Sequence, residues 1–143
     1  MEVANLVGKR RGTCDRGKSG AVIVRNGRII STGYVGAPRG LPHCDEVGHE
    51  LVNDHCLRST HAEQNAIINA AKDGISTDNG IMYCTMVPCY ACAKMIINAG
   101  IQKVFADYDY HASARTKEVF AESGVSLELI HNEILGYGTT KKE

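Results

Sequence analysis

The sequence predicts an α/β protein, a three-layer α/β/α sheet opened by an N-terminal β-hairpin. Three observations carry that expectation. Two β-branched runs, residues 20–25 and 28–33, flank Asn26-Gly27, the strongest short hairpin signal. A strand pattern at residues 81–86, a helical pattern at 88–99 and a second strand pattern at 101–106 follow one another, and that order implies parallel pairing with a right-handed crossover. With 143 residues, 43% hydrophobic and 22% charged, the chain suits one core, so residues 1–131 read as a single domain.

The remaining elements follow from local pattern. Residues 34–59 read as a long, loop-rich stretch. Residues 60–74 predict a helix, because Ala62, Ala66, Ile67, Ala70 and Ala71 make one apolar face and Gly74 supplies a stop. Pro88 suits the first position of the next helix, which ends before Gly100. A third helix at 113–123 and a last strand at 125–130 complete the sheet. Residues 132–143 form a polar tail whose Gly136-Tyr137-Gly138-Thr139-Thr140 and Lys141-Lys142-Glu143 are expected to be poorly ordered.

Sixteen basic against sixteen acidic residues leave no net charge, which argues against a nucleic-acid partner and for a small polar ligand. No apolar run is long enough to cross a bilayer and no signal segment opens the chain, so the expectation is a cytoplasmic protein without a membrane partner. Six cysteines in a reducing compartment point to metal and core roles rather than disulfides.

The chemistry concentrates in two motifs, His61-x-Glu63 and Pro88-Cys89-x-x-Cys92. One imidazole and two thiolates occupy three positions of a tetrahedral Zn²⁺ and leave the fourth for water, the arrangement of a catalytic zinc. Such a metal lowers the pKa of water from ~15.7 toward ~7. Both motifs open helices, where free N–H groups and the positive dipole end favour thiolates. Each half has a plainer reading: Thr60-x-x-Glu63 is also a capping box, and a lone C-x-x-C is also a redox pair. Their joint occurrence, each tied to a helix start, favours metal, with Glu63 left to move protons. Together they resemble the H-x-E and P-C-x-x-C signature of zinc hydrolytic deaminases.

Residues 12–19 spell G-x-x-x-x-G-K-S, the phosphate-cradling loop of nucleoside triphosphatases. That chemistry needs a buried strand before the loop and a helix after it. Here basic Lys9-Arg10-Arg11 precedes and the strand from Ala21 to Val24 follows, so the nucleotide-hydrolase reading is rejected; the basic residues can still hold phosphate by charge.

Over residues 7–130 the chain resembles the deoxycytidylate (dCMP) deaminase family. The resemblance rests on residues 11–16, on S-T-G-Y-V-G-A-P ending at Pro38, on H-C-D-E-V-G-H from His43 to His49, on the run 54–67 containing H-A-E, and on T-M-V-P-C-Y-A-C from Thr85 to Cys92. The Cys44, Gly48-His49, His55-Cys56 run singles out the dCMP branch. It implies a cytidine-deaminase-like fold and hydrolysis of dCMP to dUMP and ammonia for thymidylate synthesis. The residues themselves support Glu63 as proton carrier and the backbone near Ala62 and Cys89 as base holder. A homo-oligomer, commonly a hexamer, and regulation by dCTP with Mg²⁺ as activator and dTTP as inhibitor are implied too. Two departures stand out: Val35 where the family usually has asparagine, and a shortened N-terminal helix. Rival readings are a deaminase that accepts both dCMP and dCTP, a nucleoside cytidine deaminase, a tRNA adenosine deaminase and a structural zinc module.

Cys14, Cys44 and Cys56 are left over from the first centre. With His49 they make a candidate second, structural zinc site, with His43 and His55 as substitutes for His49. Cys84 is assigned to the core. The loop after the strand at 101–106 is expected to bind substrate: Tyr110 packs on sugar or base, His111 and Arg115 take the phosphate, and Tyr108 lies nearby. Arg11, Arg16 and Lys18, with Tyr34, Val35 and Gly36, are assigned to a regulatory triphosphate.

Overall fold

A computed structural model describes residues 1–53 and 55–135. In order they form α1 (Glu2–Arg11), β1 (Gly20–Arg25), β2 (Arg28–Tyr34), α2 (Cys44–Val47), β3 (Leu51–Val52), β4 (His55–Cys56), α3 (Ala62–Lys72), β5 (Ile81–Met86), α4 (Tyr90–Asn98), β6 (Lys103–Tyr110), α5 (Ala114–Ser123), β7 (Ser126–Leu129) and β8 (Ile134–Leu135). The main sheet runs β2-β1-β5-β6-β7, with β8 added to β6. Asn26 and Gly27 both take positive φ, 51° and 72°, which closes the β1–β2 hairpin in its two-residue turn. β5 runs antiparallel to β1 but parallel to β6, and β6 parallel to β7, as the strand, helix, strand order requires.

Side-chain alternation sends neighbouring residues of β1 to opposite faces. Ala21, Ile23, Met82, Cys84 and Val104 share a face with Ala62 and Ala66 of α3, Ala93 and Ile96 of α4 and Phe120 of α5, forming the main core. Gly20 faces the other way, against α1, whose Ala4 carbonyl and Gly8 amide occupy the space a Cβ would need. The sheet is therefore covered on both sides. α3 approaches β2 as closely: a Cβ at Gly33 would strike the Ala62 carbonyl and the Ala66 amide. Asn65 Nδ2 donates to the Tyr34 carbonyl at 2.8 Å and Ser31 Oγ to the Ala66 carbonyl at 2.6 Å. These contacts fix the start of α3 against the end of β2.

Several boundaries differ from expectation. α4 starts at Tyr90 with Cys89 as N-cap, so Pro88 precedes the cap instead of occupying the first helical position. The loop-rich stretch contains the single turn of α2 and the short β3–β4 hairpin. β6 continues to Tyr110, because Asp109 and Tyr110 find partners in Ile134 and Leu135 of β8. Part of the expected polar tail is thus strand; residues 136–143 lie outside the described residues. Helix α1 precedes residues 12–19 and β1 follows them, the reverse of a phosphate-cradling loop.

Candidate active site and a second cysteine cluster

The C-terminal ends of β5 and β6, the start of β1 and the end of β2 meet at one end of the sheet, where open α/β sheets present ligand sites. α3 and α4 begin there. His61 is the N-cap of α3 and Cys89 the N-cap of α4. His61 Nδ1 lies 3.5 Å from Cys89 Sγ and 3.4 Å from Cys92 Sγ, and the three donor atoms lie within 4.8 Å of one another. A tetrahedral zinc with bonds of ~2.3 Å to sulfur and ~2.0–2.1 Å to nitrogen spaces such donors about 3.6 Å apart. The trio fits that metal.

Its electrostatics favour a cation as well. Hydrogen bonding from Cys92 brings the Cys89 thiol down to about 4 against the effect of burial, with the His61 imidazole adding to the lowering. The His61 imidazole rises in turn to about 9, chiefly through Cys89 and despite burial. Cys92 is pushed up by the same Cys89 contact, by burial and by Glu63. A second thiolate beside the first is costly until a positive charge joins them.

Glu63, one residue into α3, is 8% exposed, and burial raises its carboxyl above the ordinary range although His61 opposes the shift. The capping reading of Glu63 does not hold: the box is one residue later, where Gln64 Oε1 accepts the His61 N–H at 2.9 Å. Thr60 is occupied by a backbone bridge to Gly36. Glu63 is thereby left on the wall of a cleft that His61 and Cys89 also line. Ala62, Val35, Tyr110 and Arg16 line the same cleft.

Residues 1–107 match the family model for the cytidine and deoxycytidylate deaminase zinc-binding region. The chain belongs to the deoxycytidylate deaminase family. It is 42% identical over 120 residues to ComE operon protein 2 of Bacillus subtilis (strain 168), covering 84% of this chain and 64% of that one. It is 36% identical over 136 residues to deoxycytidylate deaminase of Schizosaccharomyces pombe, covering 89% and 41% respectively. The chain thus spans less than two thirds of the length of these two relatives. Among solved structures, the dCMP deaminase of cyanophage S-TIM5 in complex with dCMP and dUMP aligns with a TM-score of 0.78 at 33% identity, covering 90% of this chain and 91% of that one. The fold is therefore shared along most of the chain.

The leftover cysteines of this chain gather as well. Cys14, Cys44 and Cys56 bring their sulfurs, and His49 a ring nitrogen, within 4.8 Å of one another. Cys14 Sγ is 3.7 Å from His49 Nδ1 and Cys44 Sγ is 3.5 Å from Cys56 Sγ, again the edges of a zinc tetrahedron. His49 Nε2 donates to Asp15 at 2.9 Å, the outer carboxylate contact that ordinarily orients a metal-binding imidazole. His43 does not serve as a substitute: its Nδ1 accepts from the Ala37 N–H at 3.3 Å and from the Thr13 hydroxyl at 2.7 Å. His55 lines the cleft beside Glu63 instead of joining the four. Cys84 is buried in the core as expected.

The residues expected to take phosphate are distributed differently. Tyr110 is a buried strand residue on the cleft wall, not a loop residue, and Tyr108 stacks on His131 with ring centroids 5.0 Å apart. His111 and Arg115 are exposed and are not among the cleft residues; Arg115 pairs with Glu118 at 2.9 Å and lies over the Tyr90 ring. Arg16, assigned by sequence to a regulatory region, lines the cleft that holds Glu63, whereas Lys18 is exposed and Arg11 lies over the Tyr34 ring. Val35 divides its contacts between the cleft and the second cluster, and Gly36 holds the backbone bridge to Thr60. Gly17 and Ser19, from the G-x-x-x-x-G-K-S stretch, and Ser59, which no local pattern marks, also reach the cleft.

Proposed function

We propose that this protein is a zinc-dependent hydrolase that converts dCMP to dUMP and ammonia. The observation that carries the reading is one cleft lined by His61, Cys89, the buried Glu63 and Arg16, with the Cys92 sulfur behind its wall completing the trio of donors. The cyanophage dCMP deaminase of similar fold supports the choice of nucleotide. When bound by the trio, zinc supplies an acidified water as nucleophile near neutral pH. Glu63 takes a proton from the attacking water and delivers it to N3 of cytosine as C4 is attacked, then passes the proton left on the added oxygen to the departing amine, so that the two protons of water end on N3 and in ammonia. The backbone at Ala62 and Cys89 holds the base, Tyr110 packs against base or sugar, and the cleft excludes bulk water around the reacting atoms.

A second, structural zinc at Cys14, Cys44, His49 and Cys56 belongs to the same reading, supported by the donor spacing and by the Asp15 contact. Family resemblance extends it to one domain over residues 1–131, a cytoplasmic homo-oligomer, a hexamer, activated by dCTP with Mg²⁺ and inhibited by dTTP. Arg11, Lys18, Tyr34 and Gly36 are the proposed regulatory contacts. Among the described residues, no helix is long and apolar enough to cross a membrane. Val35 on the cleft wall favours a second reading, in which dCTP is also a substrate. Side-by-side turnover of dCMP, dCTP, cytidine and deoxycytidine tests both. Preference for dCMP is expected, comparable use of dCTP supports the dual activity, and preference for the unphosphorylated nucleosides rejects both nucleotide readings.

A further inference from the structure

We propose that Thr116 of α5 is a positioning residue for the zinc thiolate Cys89, acting through the Pro88 carbonyl. The inference rests on the zinc reading of the trio and not on the identity of the substrate.

The three donors are not held alike. Cys92 lies inside α4 and is fully buried, so the helix sets its direction. His61 is gripped by its own helix, where Gln64 Oε1 accepts the His61 N–H at 2.9 Å. Cys89 stands before the first turn of α4 as its N-cap, with an extended backbone at φ −67° and ψ 164°. Ala93 N–H donates to the Cys89 carbonyl at 2.9 Å, which ties the C-terminal side of Cys89 to the helix. Its N-terminal side has to be set from outside α4.

Pro88 leaves one soft dihedral for that purpose. Its ring locks φ, so ψ of Pro88 decides the plane of the Pro88–Cys89 peptide and with it the direction of Cys89. The carbonyl of that peptide accepts the Thr116 hydroxyl at 2.8 Å. One residue earlier, Val87 N–H donates to the Tyr108 carbonyl of β6 at 2.9 Å. β6 thus holds the approach to Cys89, and α5 holds its peptide plane.

Packing alone does not call for a threonine here. Thr116 is 0% exposed and shares the buried face of α5 with Phe120, where a hydroxyl costs free energy unless it is bonded. A helical threonine can bond a carbonyl three or four residues back in its own helix. This one donates across to the entry of α4 instead. α5 is a firm base for that reach, because Ser113 N–H donates to the Tyr110 carbonyl at 2.9 Å and Phe120 sits in the main core.

The test is competition for zinc by a chromophoric chelator on the zinc-loaded full chain, with thermal unfolding alongside. Thr116→Val replaces the hydroxyl by a methyl in the same branched frame, and Thr116→Ser keeps the hydroxyl. The zinc missing from Cys89→Ala identifies the trio. Thr116→Val should release that zinc at roughly 10-fold lower chelator concentration, the lower end of the range for outer partners of a metal site. Thr116→Ser, although it opens a methyl-sized void, should stay within about 3-fold of wild type. The other zinc should be unmoved in both. A Thr116→Val chain that loses stability with the zinc of the trio unchanged makes the residue a packing element and overturns the proposal. Equal release from both variants, equal weakening of both zincs, or a Thr116→Val chain that does not fold overturns it too. A wild type without zinc at the trio overturns the zinc reading together with this inference, whereas a zinc-loaded wild type that fails to turn over dCMP rejects the proposed reaction alone.

Discussion

The two cysteine and histidine clusters use the same donor chemistry but are assembled in opposite ways. In one, His61, Cys89 and Cys92 come from two helix N-termini that abut the ends of the central sheet. Three donors leave one position of a tetrahedron for a reactant. In the other, Cys14, Cys44, His49 and Cys56 come from turns and short elements outside the main sheet, and four donors close the tetrahedron. The first depends on the fold for its geometry; the second supplies geometry to segments that bury little of their own apolar surface. Helix ends buttressed by a core can carry an open site, while irregular chain needs a closed one to hold still.

Breaking each cluster should therefore have different consequences. Cys89→Ala should abolish turnover and lose the zinc of the trio while the second zinc stays, leaving about one metal per chain by mass spectrometry. Cys44→Ala should also leave about one metal per chain, but with a larger loss of stability. At least about 3 kcal/mol is expected in chemical denaturation, a modest part of the ~10–16 kcal/mol associated with a structural zinc site. Loss of both metals in either variant would merge the two clusters into one cooperative unit.

A mutation in the sheet sharpens the contrast. Gly33→Ala forces the start of α3 away from β2, where a Cβ would meet the Ala62 carbonyl, and should cost about 1–3 kcal/mol as overpacking. It should weaken zinc at the trio, through His61, and spare the second cluster; thermal unfolding with metal analysis reads both.

The smallest effect is expected where β6 meets α5. Burial opposes ionisation of Asp109, yet hydrogen bonds from Lys117, Ser113 and the Tyr110 N–H prevail and hold its carboxyl below the usual range. A depressed folded pKa means stability that is present above the unfolded value of about 3.9 and lost as pH falls through the folded value. Asp109→Asn should cost about 1 kcal/mol at pH 7, modest because Lys117 is partly exposed. In urea titrations the difference from wild type should shrink as pH falls toward 3, with the metal content at pH 7 the same as wild type.

The open site was legible because its residues lie close in sequence and at element boundaries. The H-x-E and P-C-x-x-C spacings place their side chains with little help from tertiary structure, and Asn26-Gly27 did the same for the hairpin. The closed site was legible as unused donors, but not its choice among His43, His49 and His55, which depends on Thr13, Ala37 and Asp15 packing beside them. Arg16 and Lys18 are near neighbours of like charge in one basic stretch, and only the turn between Cys14 and Lys18 turns one into the cleft and leaves the other exposed. Overlapping capping boxes at Thr60 and His61 look alike in sequence; the bridge from Thr60 to Gly36 decides for His61. β6 passes its expected end because a distant strand, β8, offers it partners.

The central claim is that Glu63 moves protons at an open metal site and does not support the fold. Glu63→Gln keeps the shape of the side chain and removes the proton, so the decisive measurement is dUMP formation from dCMP by the purified variant together with its zinc content. The account predicts two zinc per chain, wild-type thermal stability to within about 1 kcal/mol, and turnover lower by at least about 10³-fold. A variant that keeps its zinc and its turnover would contradict it.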